Sequence, residues 1–143
     1  MIEILKYLFY SDAGGLLNNI ALLGFRLLVA LELFRVHGLP KFSGEHGVAE
    51  VVPNPLHLPT KFNQFVATFS DTVVPFLIML GFATRLAVLP VIGVTAIGYF
   101  VVHRKDSLPV RDVPYMYTVC FTFLAVTGPG TISLDHLLYT IIH

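Results

Sequence analysis

Arg26, Asp71, His37 and His103 are the residues that could do chemistry, because each sits in or at the end of a run that is otherwise apolar. An ionised side chain at the centre of a bilayer costs at least ~2.5–3.5 kcal/mol, so such groups face a bundle interior and find partners. If His37 marks one end of a first helix and Phe62 the same-side start of a second, Arg26 lies roughly 16 Å deep and Asp71 roughly 13 Å deep. The two are expected to form an ion pair or to share a polar cavity. His37 and His103 both end helices on one side, so they lie at one depth. Two such histidines could clamp a haem iron or another metal. No further ligand is fixed by spacing, which favours a cavity mouth that titrates near neutrality or holds a small anion or a quinone carbonyl.

Helical periodicity extends this set. Asn19, Arg26 and His37 share one face at spacings of seven and eleven, and Gln64 shares a face with Asp71. Arg85 and His103 share a face with Tyr99 beside it, while Tyr115, Thr118 and Thr122 line one side of a fourth segment. The four polar faces are expected to converge. Glu32 and Lys41 complete the candidate core, although Glu32 is also spaced i,i+3 from Arg35 and the two can satisfy each other. Thr118 and Thr122 read as interhelical or carbonyl hydrogen-bond donors. Arg35, Lys41 and Lys61 read more readily as interface anchors. Cys120 stands alone in an apolar run, so no intrachain disulfide or dithiol chemistry is available.

The elements that must position these residues are four apolar windows, near 16–37, 62–83, 84–103 and 111–127. Of the 143 residues, 55% are hydrophobic and 13% charged, too greasy for an ordinary soluble domain. The reading is one all-α membrane domain, a four-transmembrane-helix bundle, because lipid offers no partner to an open sheet edge. Net charge is zero, which excludes a basic nucleic-acid-binding surface. The link "GFATR" is short enough to force an antiparallel hairpin. Pro75 and Pro90 are expected to kink the second and third spans. The Pro- and Gly-rich linker 38–61 reads as mostly irregular and lying on or in the interface. Ser133 is a candidate N-cap for a short amphipathic tail helix over 133–143. That tail and the opening "MIEILKYLFY" are expected to rest at the membrane surface. The first ten residues carry no cleavable signal pattern, so the first span is expected to be retained. Lys and Arg are commoner beside the two long linkers, which places those linkers in the cytoplasm.

The chain resembles the DoxX family of small four-span membrane proteins. The resemblance is carried by "RLLVALELFRVHGLPKF", "LGFATRLAVLPV", "VVH" and "GPGTISLDHLL", in that order on the successive spans, and covers about 23–138. It implies matches at Arg26, His37, Gly38, Lys41, Gly81, Thr84, Arg85, His103, Gly128, Ser133 and Asp135. Asp71 stands where members usually place a glutamate, and only Asp112 is near the glutamate that often opens their last span. The resemblance implies residence in a prokaryotic cytoplasmic membrane. It also implies an accessory role in a membrane oxidoreductase system, with a pocket for a quinone or a small sulfur substrate. No flavin, iron–sulfur or haem motif is present, so electron chemistry would come from a membrane or peripheral partner protein. A further copy of the chain could also serve as partner. The alternative is a non-catalytic carrier or permease for a small molecule or lipid, or an assembly scaffold.

Overall fold

The computed structural model describes residues 2–43 and 52–142, and every regular element among them is helical. A short helix α1 (Ile2–Phe9) precedes α2 (Leu16–Leu33). The first long helix does not stop at His37. It passes through a π-helical turn, Phe34–Gly38, into α3 (Leu39–Ser43) as one rod. In that turn the N–H of Leu39 reaches Phe34 O, five residues back, and the chain continues helically across Pro40. The linker is thus helical over 38–43 rather than irregular. Val48 and Val51, two of the apolar residues expected to dip into the interface, lie outside the described residues.

The second rod is α4 (Thr60–Thr72) followed by α5 (Val74–Leu80), broken at Val73 with Pro75 in the first turn of α5. Pro75 has no N–H to offer the carbonyl of Asp71. That freed carbonyl is where a Cβ on Gly38 would land, so only glycine lets the two rods approach this closely. The hairpin expected at "GFATR" is present. Gly81 adopts φ 69°, and the N–H groups of Gly81 and Phe82 bond back to Ile78 O and Leu77 O, a Schellman ending. The third rod is α6 (Thr84–Ile97), with Pro90 inside it, continuing into a second π turn, Gly98–Val102. The fourth is α7 (Leu108–Thr127), which begins three residues earlier than expected. α8 (Leu134–Ile142) closes the chain, and the N–H of His136 donates to Ser133 Oγ at 3.2 Å, as the capping reading requires.

α6 packs most extensively on α7, α2 on α5, and α4 on α6. Their shared core is thin: Leu22, Ala30, Leu33, Val74, Ile78, Ala87, Val88, Val91, Phe121 and Leu124. The outward faces are apolar instead. Leu28 is 70% exposed, Phe100 64% and Phe65 63%. In water such a surface would cost far more than the core recovers; in lipid it is the solvated state. Among the described residues three rods are long and apolar enough to cross a membrane: Leu16–Phe42, Thr60–Leu80 and Thr84–Val102, at mean hydropathies of 1.7, 1.2 and 2.0. The molecule is an integral membrane protein whose described regular structure is all helical.

Candidate functional site

The polar side chains gather at two centres rather than one. The first lies at the end of the bundle that carries both chain termini. Arg26 is 1% exposed there, yet among the described residues its guanidinium meets no carboxylate within ion-pair distance. It donates to Pro129 O, to Ile132 O at 2.9 Å and more weakly to Met79 O at 3.3 Å. These carbonyls belong to the end of α5 and to the loop 128–133, which folds back into the bundle. Asn19 grips the same loop, accepting from the N–H of Thr131 at 2.8 Å and donating to Asp12 at 2.8 Å. The Ser11 hydroxyl oxygen accepts from the N–H of Gly130 at 2.7 Å.

Asp135 completes this centre. Ala83, just before α6, gives no side-chain cap to the exposed N–H groups of that helix. The buried Asp135 carboxylate supplies it from α8, accepting from the N–H groups of Ala83 (2.6 Å) and Thr84 (3.0 Å). Burial nonetheless pushes the Asp135 carboxyl above its ordinary value, against those bonds and the nearby Arg26 charge. Asp12 goes the other way, held low by the hydrogen bond from Asn19 and then by the N–H of Gly14. Arg85 joins two helix C-termini, donating to Tyr7 O at 2.7 Å within α1 and Tyr10 O at 3.0 Å just beyond it, and to Thr127 O at 3.3 Å in α7. Arg26, Asn19, Arg85 and Asp135 therefore clasp loops and helix ends, with their polar capacity spent largely on backbone.

The second centre is a cavity of about 480 Å³ at the opposite end, beside both long linkers, and its volume is in the range that holds small molecules. Its walls are mainly apolar, among them Leu33, Val66, Val94, Ile97 and Val113. Both interior prolines, Pro90 and Pro114, also line it, as do Gly98 and Val102 of the second π turn. Departures from α geometry of this kind gather at functional sites, because they re-aim side chains and free carbonyls. Lys41 and Asp71 meet in the wall at 2.7 Å, each side chain 15% exposed. His37 and Tyr117 stand edge to face, ring centroids 5.7 Å apart, and neither has a hydrogen-bond partner among the described residues. His103 lines the cavity mouth and pairs with Asp106 at 2.7 Å. Val52, Pro53, Pro55, Leu56 and Leu58 of the first linker form the remaining side. That segment is tied down by Asn63, which donates to Pro53 O at 3.1 Å, and by Asn54, which bonds both backbone groups of Leu58.

The expected Arg26–Asp71 pair is not formed: Asp71 takes Lys41, and Arg26 takes carbonyls. The reason is register. Because the first rod runs on to Ser43, Gly38 is level with Asp71, while Arg26 is level with Met79 and Gly81. Twelve residues separate Gly38 from Arg26, or roughly 18 Å of helix. The polar faces accordingly do not converge on one chamber. His37, Lys41, Asp71 and His103 come together at the cavity; Asn19, Arg26 and Arg85 come together at the other end. Three candidates join neither. Glu32 is exposed and bonds Arg35 at 3.3 Å, Gln64 is exposed on α4, and Tyr99 lies beneath the guanidinium of Arg111, 4.6 Å away. Tyr117 and the 52–58 segment, missed as site elements, each had a signal: a tyrosine three residues beyond Pro114, and a linker too apolar for a free loop. Among the described residues no group of three or more His, Cys, Asp or Glu is placed to hold a metal ion.

The sequence model of the family described as DoxX matches residues 21–104. A protein of Haemophilus influenzae described as uncharacterized is 31% identical over 132 residues, covering 87% of each chain. The inner membrane protein YphA of Escherichia coli is 32% identical over 138 residues, covering 88% of this chain and 95% of that protein. No solved structure matches the chain.

Proposed function

The chain belongs to the DoxX family, and we propose that it is an accessory subunit of an oxidoreductase system in the cytoplasmic membrane. In this reading its linker-end cavity holds a lipid-soluble quinone or a small sulfur substrate while a partner protein supplies the electron chemistry. One observation carries the reading: a mostly apolar cavity of about 480 Å³ in which the His37 ring and the Tyr117 hydroxyl have no hydrogen-bond partner among the described residues, beside a largely desolvated Lys41–Asp71 pair. An apolar body with one hydrogen-bonding end suits such walls. The lone Cys120 leaves thiol–disulfide chemistry to the partner. The E. coli relative is named for the inner membrane, which supports the same location here. α7 serves as the fourth span, with Arg111 and Asp112 in its first turns at the interface. The cations beside both linkers put that end in the cytoplasm.

The tied 52–58 segment over the cavity favours a second reading, a carrier that picks up a small molecule or lipid and closes over it. Extraction of the purified protein separates the two. Copurifying quinone, depleted in His37→Leu and Tyr117→Phe, supports the first reading. Phospholipid alone, with no quinone band in the absorbance spectrum, refutes it and leaves the carrier.

A further inference from the structure

We infer that the linker-end cavity selects by charge: Lys41 and Asp71 cancel each other, so the site takes an uncharged, oxygen-bearing, lipid-soluble molecule and rejects anions. This deepens the pocket reading above and narrows its two ligand classes to one. The two charges sit 2.7 Å apart in the cavity wall. At the mouth the His103 ring meets the Asp106 carboxylate at 2.7 Å, so among the described lining residues no cation stands there without a carboxylate beside it. An anion such as a sulfur oxyanion or a fatty-acid carboxylate that approaches Lys41 must also approach Asp71. Attraction and repulsion then nearly offset, while the anion's own loss of hydration remains uncompensated.

A neutral oxygen makes no such demand. It needs only hydrogen-bond partners, and His37 and Tyr117 have none among the described residues. Both groups can donate or accept. The same pair therefore suits a carbonyl, by donating to it, and a hydroxyl, by accepting from it. Neither has to change its charge for the site to hold both forms. The apolar walls, from Leu33 to Val113, then cover a ring or a short alkyl tail.

The test is titration calorimetry on the full chain in lipid nanodiscs, with empty nanodiscs as reference. The probes are a decyl-substituted benzoquinone, decanoate and thiosulfate. The native protein is expected to bind the quinone at least about tenfold more tightly than decanoate, and to give no signal with thiosulfate. Asp71→Asn, which leaves Lys41 uncompensated, is expected to shift the ratio of decanoate to quinone affinity about tenfold toward decanoate. Lys41→Gln is the mirror variant and is expected to admit decyltrimethylammonium instead. Native protein that binds decanoate or thiosulfate as well as quinone overturns the inference, and this arm needs no variant to fold. Quinone binding with no change of charge preference in either folded variant overturns it as well, but leaves the pocket reading standing. Absence of binding by any probe overturns both.

Discussion

Replacing Arg26 by methionine separates the two polar centres most sharply. The stem volume is kept, and the guanidinium is lost. Two well-formed charge-assisted bonds disappear, to Pro129 O and Ile132 O, with a third, long one to Met79 O. Bonds of this type contribute about 1.5–3 kcal/mol each, so the two good ones together account for roughly 3–6 kcal/mol. Methionine carries no charge to desolvate, which offsets part of that loss. What remains is two or three buried carbonyls without donors, and the net cost should be ~3–5 kcal/mol. Arg26→Lys keeps the charge but not the planar fork, and should fall between methionine and the native residue. Unfolding in detergent followed by circular dichroism measures this directly. The second half of the test is ligand affinity. Arg26 lies roughly 18 Å along the rod from the level of the cavity, so a folded Arg26→Met protein should bind the quinone probe as the native protein does. A variant that loses less than about 1 kcal/mol of stability, yet loses quinone binding, would show that Arg26 belongs to the site and that the division into a clasp and a cavity is wrong.

His37→Leu and Tyr117→Phe should each weaken quinone binding about tenfold in calorimetry, the equivalent of one hydrogen bond to an otherwise unserved oxygen, with the melting temperature held. Gly81→Ala should cost ~1–3 kcal/mol in detergent unfolding, because the residue sits at φ 69° and an added Cβ would press on Ser133 and the Arg26 guanidinium. Ser133→Ala should cost about 1 kcal/mol by the same measurement, from loss of the α8 cap. Asp135 and Asp12 should give pH dependences of opposite sign in melting curves recorded from about pH 3 to 7. The folded-state carboxyl of Asp135 is raised, so its contribution is full below the ordinary 3.8 and fades as pH rises through the folded value; the native advantage over Asp135→Asn should shrink in that direction. Asp12 is lowered, so its contribution holds above 3.8 and is lost as pH falls through its folded value.

Local structure was legible from the residues, and long-range register was not. The "GFATR" hairpin, the Ser133 cap and the Glu32–Arg35 pair all depend on neighbours a few positions away, and all are present. Thr118 reaches both kinds of partner its type suggests, Pro114 O at 2.7 Å and Thr95 Oγ1 at 2.9 Å, its single hydroxyl proton serving one of them at a time. Pro75 marks the break in the second rod for the local reason that it has no N–H. The error arose at Gly38 and Pro40, which in most sequences end a helix. Here the i+5 bond from Leu39 to Phe34 carries the helix past them, and moves the expected level of His37 by about nine residues relative to α4. That one shift assigned Asp71 to Arg26 instead of Lys41. The return of the 128–133 loop into the bundle was hidden for a different reason. Its carbonyls carry no side-chain signal, so nothing in the sequence marks them as the ligands of a buried guanidinium.

The two π turns let the cavity tolerate a change of chain length at two places and nowhere else along those rods. Each holds one residue more than an α-helical turn of the same rise would need. Deleting a single position from Phe34–Gly38 would let the turn relax to α geometry while everything beyond it kept its face, so Lys41 would stay on Asp71. The same deletion in the α-helical stretch Leu16–Leu33 would turn the rod on its two sides by about 100° relative to each other. Among relatives, a one-residue gap at either π turn thus leaves the cavity chemistry in place, whereas a gap in the helix beside it changes that chemistry with no side chain substituted.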